Sequence, residues 1–314
     1  MANTVNYAEV WDNELLEIMR QNTMCTPFIT TNVKWLGART FHFTSMQTSG
    51  FKNHSRNGGW NRGKFTQTDH EFSVTHDRDV EFLVDTADVD ESNATASIQN
   101  IAKTFTQNQS GPEKDALFFS KVAAAAKKET GYHTETEIST ITKDTVYSYL
   151  KKCMASGKLR RYKAKGGLIG YVRSEIMDAL EQAPDFTRVI NVMQVADGGE
   201  GIETRITEID GVPIMEVIDD ETFYDSFNFE PADGGFEPTN STAHKINTLF
   251  ATPLTTKVVP KISSIYYFNP GTHTQGDGYL YQERELSDVF VFPNGKDGKV
   301  DSVFVDTDTA TVGA

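Results

Sequence analysis

His70 and His76 stand six residues apart on an alternating stretch, among Asp69, Glu71, Asp77 and Asp79. Neutral imidazole and carboxylate together are a donor set that zinc accepts. A spacing of six on a strand puts both rings on one face. No His-Glu-x-x-His, His-x-His or paired Cys accompanies them, so the cluster reads as a solvated strand face and no metal ligand is assigned. Asp197-Gly198-Gly199-Glu200 and Asp219-Asp220-Glu221 lack the alternating oxygen ligands and closing Glu of a calcium loop. Gly166-Gly167 precedes a strand instead of linking a strand to a helix, which excludes a phosphate-cradling turn. No Gly-x-Ser-x-Gly elbow or kinase signature occurs. The sequence therefore assigns no catalytic residue, no cofactor and no metal.

One basic run remains: Lys158, Arg160, Arg161, Lys163 and Lys165, with Tyr162 between them. It is a candidate for contact with phosphate or an acidic partner, set against the plainer reading of a solvated loop. Total charge weighs against a dedicated nucleic-acid binder, because 30 Lys/Arg against 44 Asp/Glu leave −14, whereas phosphate affinity comes from clustered cations. The charge is unevenly spread: residues 1–70 carry +2, residues 71–199 carry −3 and residues 200–314 carry −13. A basic first quarter and an acidic last third can attract each other between copies, steering encounter more than adding affinity.

The elements that would position these groups are mixed. With 314 residues, 38% hydrophobic and 24% charged, the chain is long enough for one large domain or two small ones. Frequent Phe, Thr and Asp tilt it toward strands. No apolar run reaches the ~20 residues of a membrane span, and the N-terminus has no signal-peptide pattern, so a cytoplasmic protein is expected. Cys25 and Cys153 are far apart and read as plain thiols.

Residues 7–21 have helical spacing. Residues 37–85 alternate on either side of a Gly/Asn-rich stretch, Ser49 to Gly63, and read as one long two-stranded arm. Such an arm is marginal alone and needs a surface, for which a neighbouring subunit is the natural candidate. Ser92 or Asn93 can cap a helix through Phe105, a break is expected at Ser110-Gly111-Pro112, and a second helix follows to Lys128. Helix 141–156, strand 168–172 and a helix from Glu175 to Gln182, capped by Ser174, suit an α/β layer. Strands follow near 205–217, 246–268, 279–282, 286–292 and 300–305, and Asp306 to Ala314 reads as a loose tail.

The most specific stretch is Arg284-Glu285-Leu286-Ser287-Asp288-Val289-Phe290-Val291-Phe292, followed by an Asn294-Gly295 turn and another strand. Traced back through Ile246-Asn247-Thr248-Leu249-Phe250 and Asp210-Gly211-Val212-Pro213-Ile214-Met215-Glu216-Val217, the chain resembles the major capsid proteins of tailed bacteriophages, with the HK-ninety-seven-like fold.

That resemblance implies an α+β fold in five parts: an N-terminal arm (1–36), an extended β-hairpin loop (37–85), a peripheral domain with a long spine helix (86–138), an axial α/β domain (139–250), and return strands with a C-terminal tail (251–314). It implies a structural, non-enzymatic shell subunit, forming hexamers and pentamers of an icosahedral container for double-stranded DNA. The expected contacts between subunits are Phe51, Lys52, Arg56, Trp60, Arg62 and Lys64 in the extended loop, with the basic run facing the next subunit around the capsomer axis. Some relatives weld neighbours by an isopeptide bond from a loop Lys; Lys52 and Lys64 lie in that region, but no pocket that would activate them is readable. Expected partners are further copies of the chain, a separate scaffolding protein, and portal and head-completion proteins, with no membrane and a place in the virion after assembly in the bacterial cytoplasm. An encapsulin-type nanocompartment shell and a phage tail or head-completion protein are the alternatives.

Overall fold

The computed structural model describes residues 23–31, 33, 35, 37–54, 58, 60–91, 98–165, 167–183, 190–191, 206–295 and 298–312. The expected helix at 7–21, the Ser92/Asn93 cap, Gly166 and the Asp197 loop lie outside them.

Strands β1 (Thr40–Thr48) and β2 (Phe65–Ser73) form a two-stranded antiparallel hairpin, and β3 (His76–Asp85) leads into α1 (Thr86–Glu91). A long helical run follows, α2 (Ile98–Phe105), one wide turn (Thr106–Ser110) and α3 (Gly111–Lys127), before the short strand β4 (His133–Glu135). Next come α4 (Val146–Met154), α5 (Leu159–Ala164), β5 (Ile169–Arg173) and α6 (Ser174–Glu181). The remaining strands are β6 (Ile190–Asn191), β7 (Ile206–Ile209), β8 (Val212–Val217), β9 (Phe227–Asn228), β10 (Glu237–Pro238), β11 (His244–Ala251), β12 (Thr256–Phe268), β13 (Gly278–Val291) and β14 (Phe304–Thr311).

The centre is a seven-stranded sheet in the order β4-β14-β11-β5-β8-β7-β6, parallel only at β4/β14 and β5/β8. Alternation along its middle strands sorts the core into two layers. Tyr171, Leu249, Ala251 and Val305 point to one face, where α3 packs Phe118, Phe119 and Val122. Val172, Phe250 and Phe304 point to the other, against Leu150 of α4, Tyr162 of α5 and Ile176 of α6. Gly170 is required where these layers meet, because a Cβ there would lie 2.5 Å from the Phe250 ring and 2.8 Å from Ile214.

A second sheet, β12-β13-β3, lies beside α2, with Ile98, Val84 and Tyr281 buried between them.

The helical run passes through Ser110-Gly111-Pro112 without the expected break. Gly111 donates its N–H to the Thr106 carbonyl, five residues back, and keeps right-handed helical angles. Proline has no N–H and crowds the preceding turn; widening one turn accommodates it within the helix.

Three further expectations are corrected. The return strand of the hairpin does not run on to residue 84. Pairing with β1 ends at Thr40↔Ser73, and β3 pairs with β13 from Ser287↔His76 to Gly278↔Asp85. The switch is enforced by Asp288, which accepts the Thr75 N–H at 3.0 Å and the Thr75 hydroxyl at 2.8 Å. Ser174 does not cap α6; its hydroxyl donates to the Val217 carbonyl at 3.3 Å.

Nor is residue 306 onward a loose tail. β14 is an inner strand of the seven-stranded sheet, and Asp306 and Thr307 are fully buried. Asp306 survives burial because Thr136 (2.8 Å), Tyr149 (2.7 Å), Asn247 (3.0 Å) and Thr134 all donate to its carboxylate, as a buried charge requires.

A second buried carboxyl, Asp115 on α3, ties down the start of the described chain. Its Oδ1 accepts the N–H groups of Met24 at 2.9 Å and Cys25 at 3.1 Å, while the Tyr171 hydroxyl donates to the Met24 carbonyl at 2.8 Å. Burial pushes the Asp115 carboxyl up to about 7, against the backbone N–H groups that favour its charged form.

Two outcomes are expected. Asp306→Ala leaves four donors without their acceptor and should lower unfolding stability by about 3–5 kcal/mol, whereas Asp233→Ala on an exposed loop should change it by less than about 0.5 kcal/mol; urea melts measure both. Asp115 binds its proton more tightly folded than unfolded, so its stabilisation is full below pH ~4 and is lost as pH rises through ~7. Asp115→Asn keeps an oxygen acceptor and does not titrate. Its stability relative to the parent should rise by up to ~4 kcal/mol from pH 4 to pH 7, and a pH-independent difference would contradict the assignment.

Candidate assembly interface

The hairpin has a buried base and a bare tip. At the base, Phe41 is 3% exposed and meets Phe72 at 5.6 Å, Phe290 at 5.1 Å and Trp35 at 5.6 Å between ring centroids. Phe43 stacks on Phe292 at 4.6 Å, and the Lys261 ammonium sits 4.0 Å over the Trp35 ring. This cluster fixes the hairpin to the β12/β13 sheet. Edge-on and stacked ring pairs of this kind add about 0.5–1.5 kcal/mol each beyond their area.

Beyond the base the ribbon leaves the body. Ladder bonds run on to Thr48↔Phe65, and the tip is closed by Ser49 N–H to the Lys64 carbonyl at 2.8 Å and Asn61 Nδ2 to the Asn53 carbonyl at 2.9 Å. Met46 is 63% exposed, Phe65 72%, Trp60 95% and Phe51 fully exposed. Lys52, Arg62 and Lys64 are exposed around them; Arg56 lies outside the described residues. The tip therefore brings exposed apolar rings and exposed cations together at the end of the hairpin.

The basic run is not a loop. Leu159 and Tyr162, three residues apart, form a buried face and fold it into α5. The Tyr162 hydroxyl donates to Asp301 at 2.5 Å, and burial pushes it up to about 12. Arg160, Arg161 and Lys165 are exposed and Lys158 is half-buried. Lys163 donates to Asp210 at 3.0 Å, and Lys151 of α4 pairs with the same carboxylate. Desolvation, with Lys151 and Arg160 nearby, lowers the Lys163 pKa. Asp210 and Gly211 take left-handed angles, φ 52° and 78°, in the tight turn between β7 and β8, and two lysines share the Asp210 carboxylate.

The two histidines of the tentative metal cluster are separated. His70 is on β2, 3.0 Å from Ser45 Oγ, and His76 opens β3, 3.1 Å from Glu113. Among the described residues no group of three His, Cys, Asp or Glu is placed to hold a metal. Cys25 and Cys153 are free and buried. Burial raises both thiols, Cys153 to about 12, so neither is a nucleophile at neutral pH. Among the described residues no helix is long and apolar enough to cross a membrane.

A projecting hairpin, a long spine helix against a three-stranded sheet and an α/β layer around a central sheet make up the HK-ninety-seven-like capsid fold. Solved phage structures share it over nearly the whole chain. The mature capsid of bacteriophage PhiM1 superimposes with a TM-score of 0.63 at 12% identity, covering 98% of this chain and 93% of that one. The capsid of cyanophage P-SCSP1u gives 0.59 at 11%, covering 97% and 94%, and a structure from Gordonia phage Cozz gives 0.61 at 11%, covering 97% and 91%. At these identities the likeness is one of fold. No protein-family model matches the sequence, and no curated protein matches it.

Because Phe51 is fully exposed and Trp60, 95% exposed, meets the His54 ring of the same tip at 6.5 Å between centroids, replacing both with Ser should change the stability of the isolated subunit by less than about 0.5 kcal/mol. Phe41→Ala at the base should cost about 3–5 kcal/mol. Thermal melts of the dispersed subunit distinguish the two.

Proposed function

We propose that this chain is a structural shell subunit of a tailed phage, assembling into hexamers and pentamers of a closed icosahedral container for double-stranded DNA. The observation that carries the reading is a fold shared with phage capsid structures over 97–98% of the chain, together with a hairpin whose tip leaves Phe51 and Trp60 exposed. A two-stranded ribbon is marginal in water, and an exposed apolar patch rimmed by charge marks an interaction site. In the assembled shell the tip, through Phe51, Lys52, Arg56, Trp60, Arg62 and Lys64, lies on a neighbouring subunit. Aromatic anchors supply the burial and the cations fix register.

The α5 cations belong to the same reading. Arg160, Arg161 and Lys165, with Lys158 and Lys163 beside them, face acidic surface of the next subunit around the capsomer axis, where opposite charge guides encounter. Scaffolding, portal and head-completion proteins complete the set of partners. DNA is held by enclosure, since a chain of −14 has little counterion release to offer. The finished subunit resides in the virion.

Sedimentation velocity tests the reading. The parent chain, alone or with a scaffold, should sediment as rings or shells of many copies, and the Phe51→Ser/Trp60→Ser variant should remain as dispersed subunits at the same concentration. A parent chain that stays monomeric in both preparations would contradict it.

A further inference from the structure

Residues 151–165 carry seven Lys or Arg and no Asp or Glu, in a chain whose net charge is −14. Three of these cations converge. Lys151, Met154 and Ala155 recur at i, i+3 and i+4 at the end of α4, and Arg160, Lys163 and Ala164 recur in the same way on α5, so each helix presents one stripe that carries positive charge. The two stripes, with Asp210 in the turn between β7 and β8, line a pocket of about 360 Å³, within the size range of small-ligand sites. Two of its seven lining residues are alanines, and a longer side chain at either position would narrow it.

Charge inside the pocket is unbalanced. Lys163 lies 3.0 Å from Asp210 and Lys151 pairs with the same oxygen, so one carboxylate answers two ammonium groups, each with further N–H bonds to give. Arg160 adds an exposed guanidinium, and three cations less one carboxylate leave +2. Desolvation, with Lys151 and Arg160 close by, holds the Lys163 ammonium below its ordinary range. The cations are near enough to oppose one another, and an anion between them relieves that opposition. A planar guanidinium fork beside two ammonium groups matches the several oxygens of a phosphate better than the two of a carboxylate. The occupant is also short. A long polyanion meets the negative charge of the rest of the chain, whereas a small one meets only the local surplus.

We propose that the pocket between α4 and α5 binds a triphosphate group, free or carried by a nucleotide. Arg160 takes one phosphate by its fork, Lys151 and Lys163 take the remaining oxygens, and Asp210 positions the two ammonium groups while moderating affinity by its own charge. Every wall of the pocket belongs to one chain, so the inference does not rest on the shell reading. Arg161 and Lys165 lie outside it and keep the contact with a neighbouring subunit proposed above.

Isothermal titration calorimetry of the full-length chain at constant ionic strength tests it with three probes: tripolyphosphate, deoxyadenosine triphosphate and a short DNA duplex. Tripolyphosphate should bind at one site per chain, the nucleotide should compete with it, and the duplex should not. Of the two competing probes, the tighter binder identifies the source of the triphosphate. Arg160→Gln, at an exposed position, should weaken binding by about tenfold. Asp210→Asn should tighten it by a similar factor, because it removes a repelling charge and Asn accepts the left-handed backbone at 210. Arg161→Gln, an exposed cation outside the pocket, should change it by less than about twofold. No binding of either triphosphate, equal weakening by Arg160→Gln and Arg161→Gln, or displacement of tripolyphosphate by the duplex at equal phosphate concentration would overturn the site. None of these results bears on assembly, so the shell reading stands or falls separately.

Discussion

The body of this subunit depends on a buried carboxylate near the end of the chain. Asp306 accepts hydrogen bonds from Thr134 of β4, Thr136 after it, Tyr149 of α4 and Asn247 of β11, so one side chain gathers three segments of sequence around β14. A charge in this position is costly unless every lone pair is used, and the cost makes alternative registers of β14 unfavourable. With β14 fixed, β11 and β5 follow by pairing. The two faces of the central sheet can then receive α3 on one side and α4, α5 and α6 on the other. Asp115 and Asp288 work in the same way at smaller scale. The first fastens Met24 and Cys25 to α3, and the second fixes the point where β2 ends and β3 begins.

The hairpin obeys the opposite constraint. Its base is fastened by rings from three strands and Trp35, but a ribbon of two strands has no interior. Past Phe43 its apolar side chains, Met46, Phe51, Trp60 and Phe65, are largely exposed. A chain that satisfies its buried carboxylates so fully, yet leaves four large apolar side chains bare on one projection, is complete as a fold and incomplete as a surface. That contrast gives the shell reading its physical content. On that reading, the tip's exposed apolar side chains are covered on assembly, and its +4 against the acidic last third of the chain guides encounter between copies.

Much of this was legible in the sequence, because it follows from local pattern. The alternation around Phe41 and Phe72, the Gly/Asn-rich tip, the α/β layer around Leu168 to Gln182 and the strand run through Leu286 to Phe292 all appear where spacing puts them. The misses share a cause in long-range partners. Alternation continues without Gly, Pro or Asn from Phe65 to Val84, and the bonds from Thr75 to Asp288, over two hundred residues away, mark where the strand breaks. Asp306-Thr307-Asp308-Thr309 reads as a polar tail until Tyr149 and Asn247 are seen to donate to Asp306. Gly111-Pro112 signals a helix break locally, yet the packing of Phe118 and Phe119 below and Ile98 above carries the helix through. The basic run was identified as a surface feature, and its helix rests on two apolar residues, Leu159 and Tyr162, too few to stand out.

Cryo-electron microscopy of the purified full-length chain, imaged alone and after co-expression with a scaffold, tests the central claim most directly. The account predicts closed icosahedral particles built from clusters of six and five subunits, with each hairpin lying across a neighbouring copy. Dispersed monomers in both preparations, or particles in which the hairpin contacts only its own subunit, would contradict it.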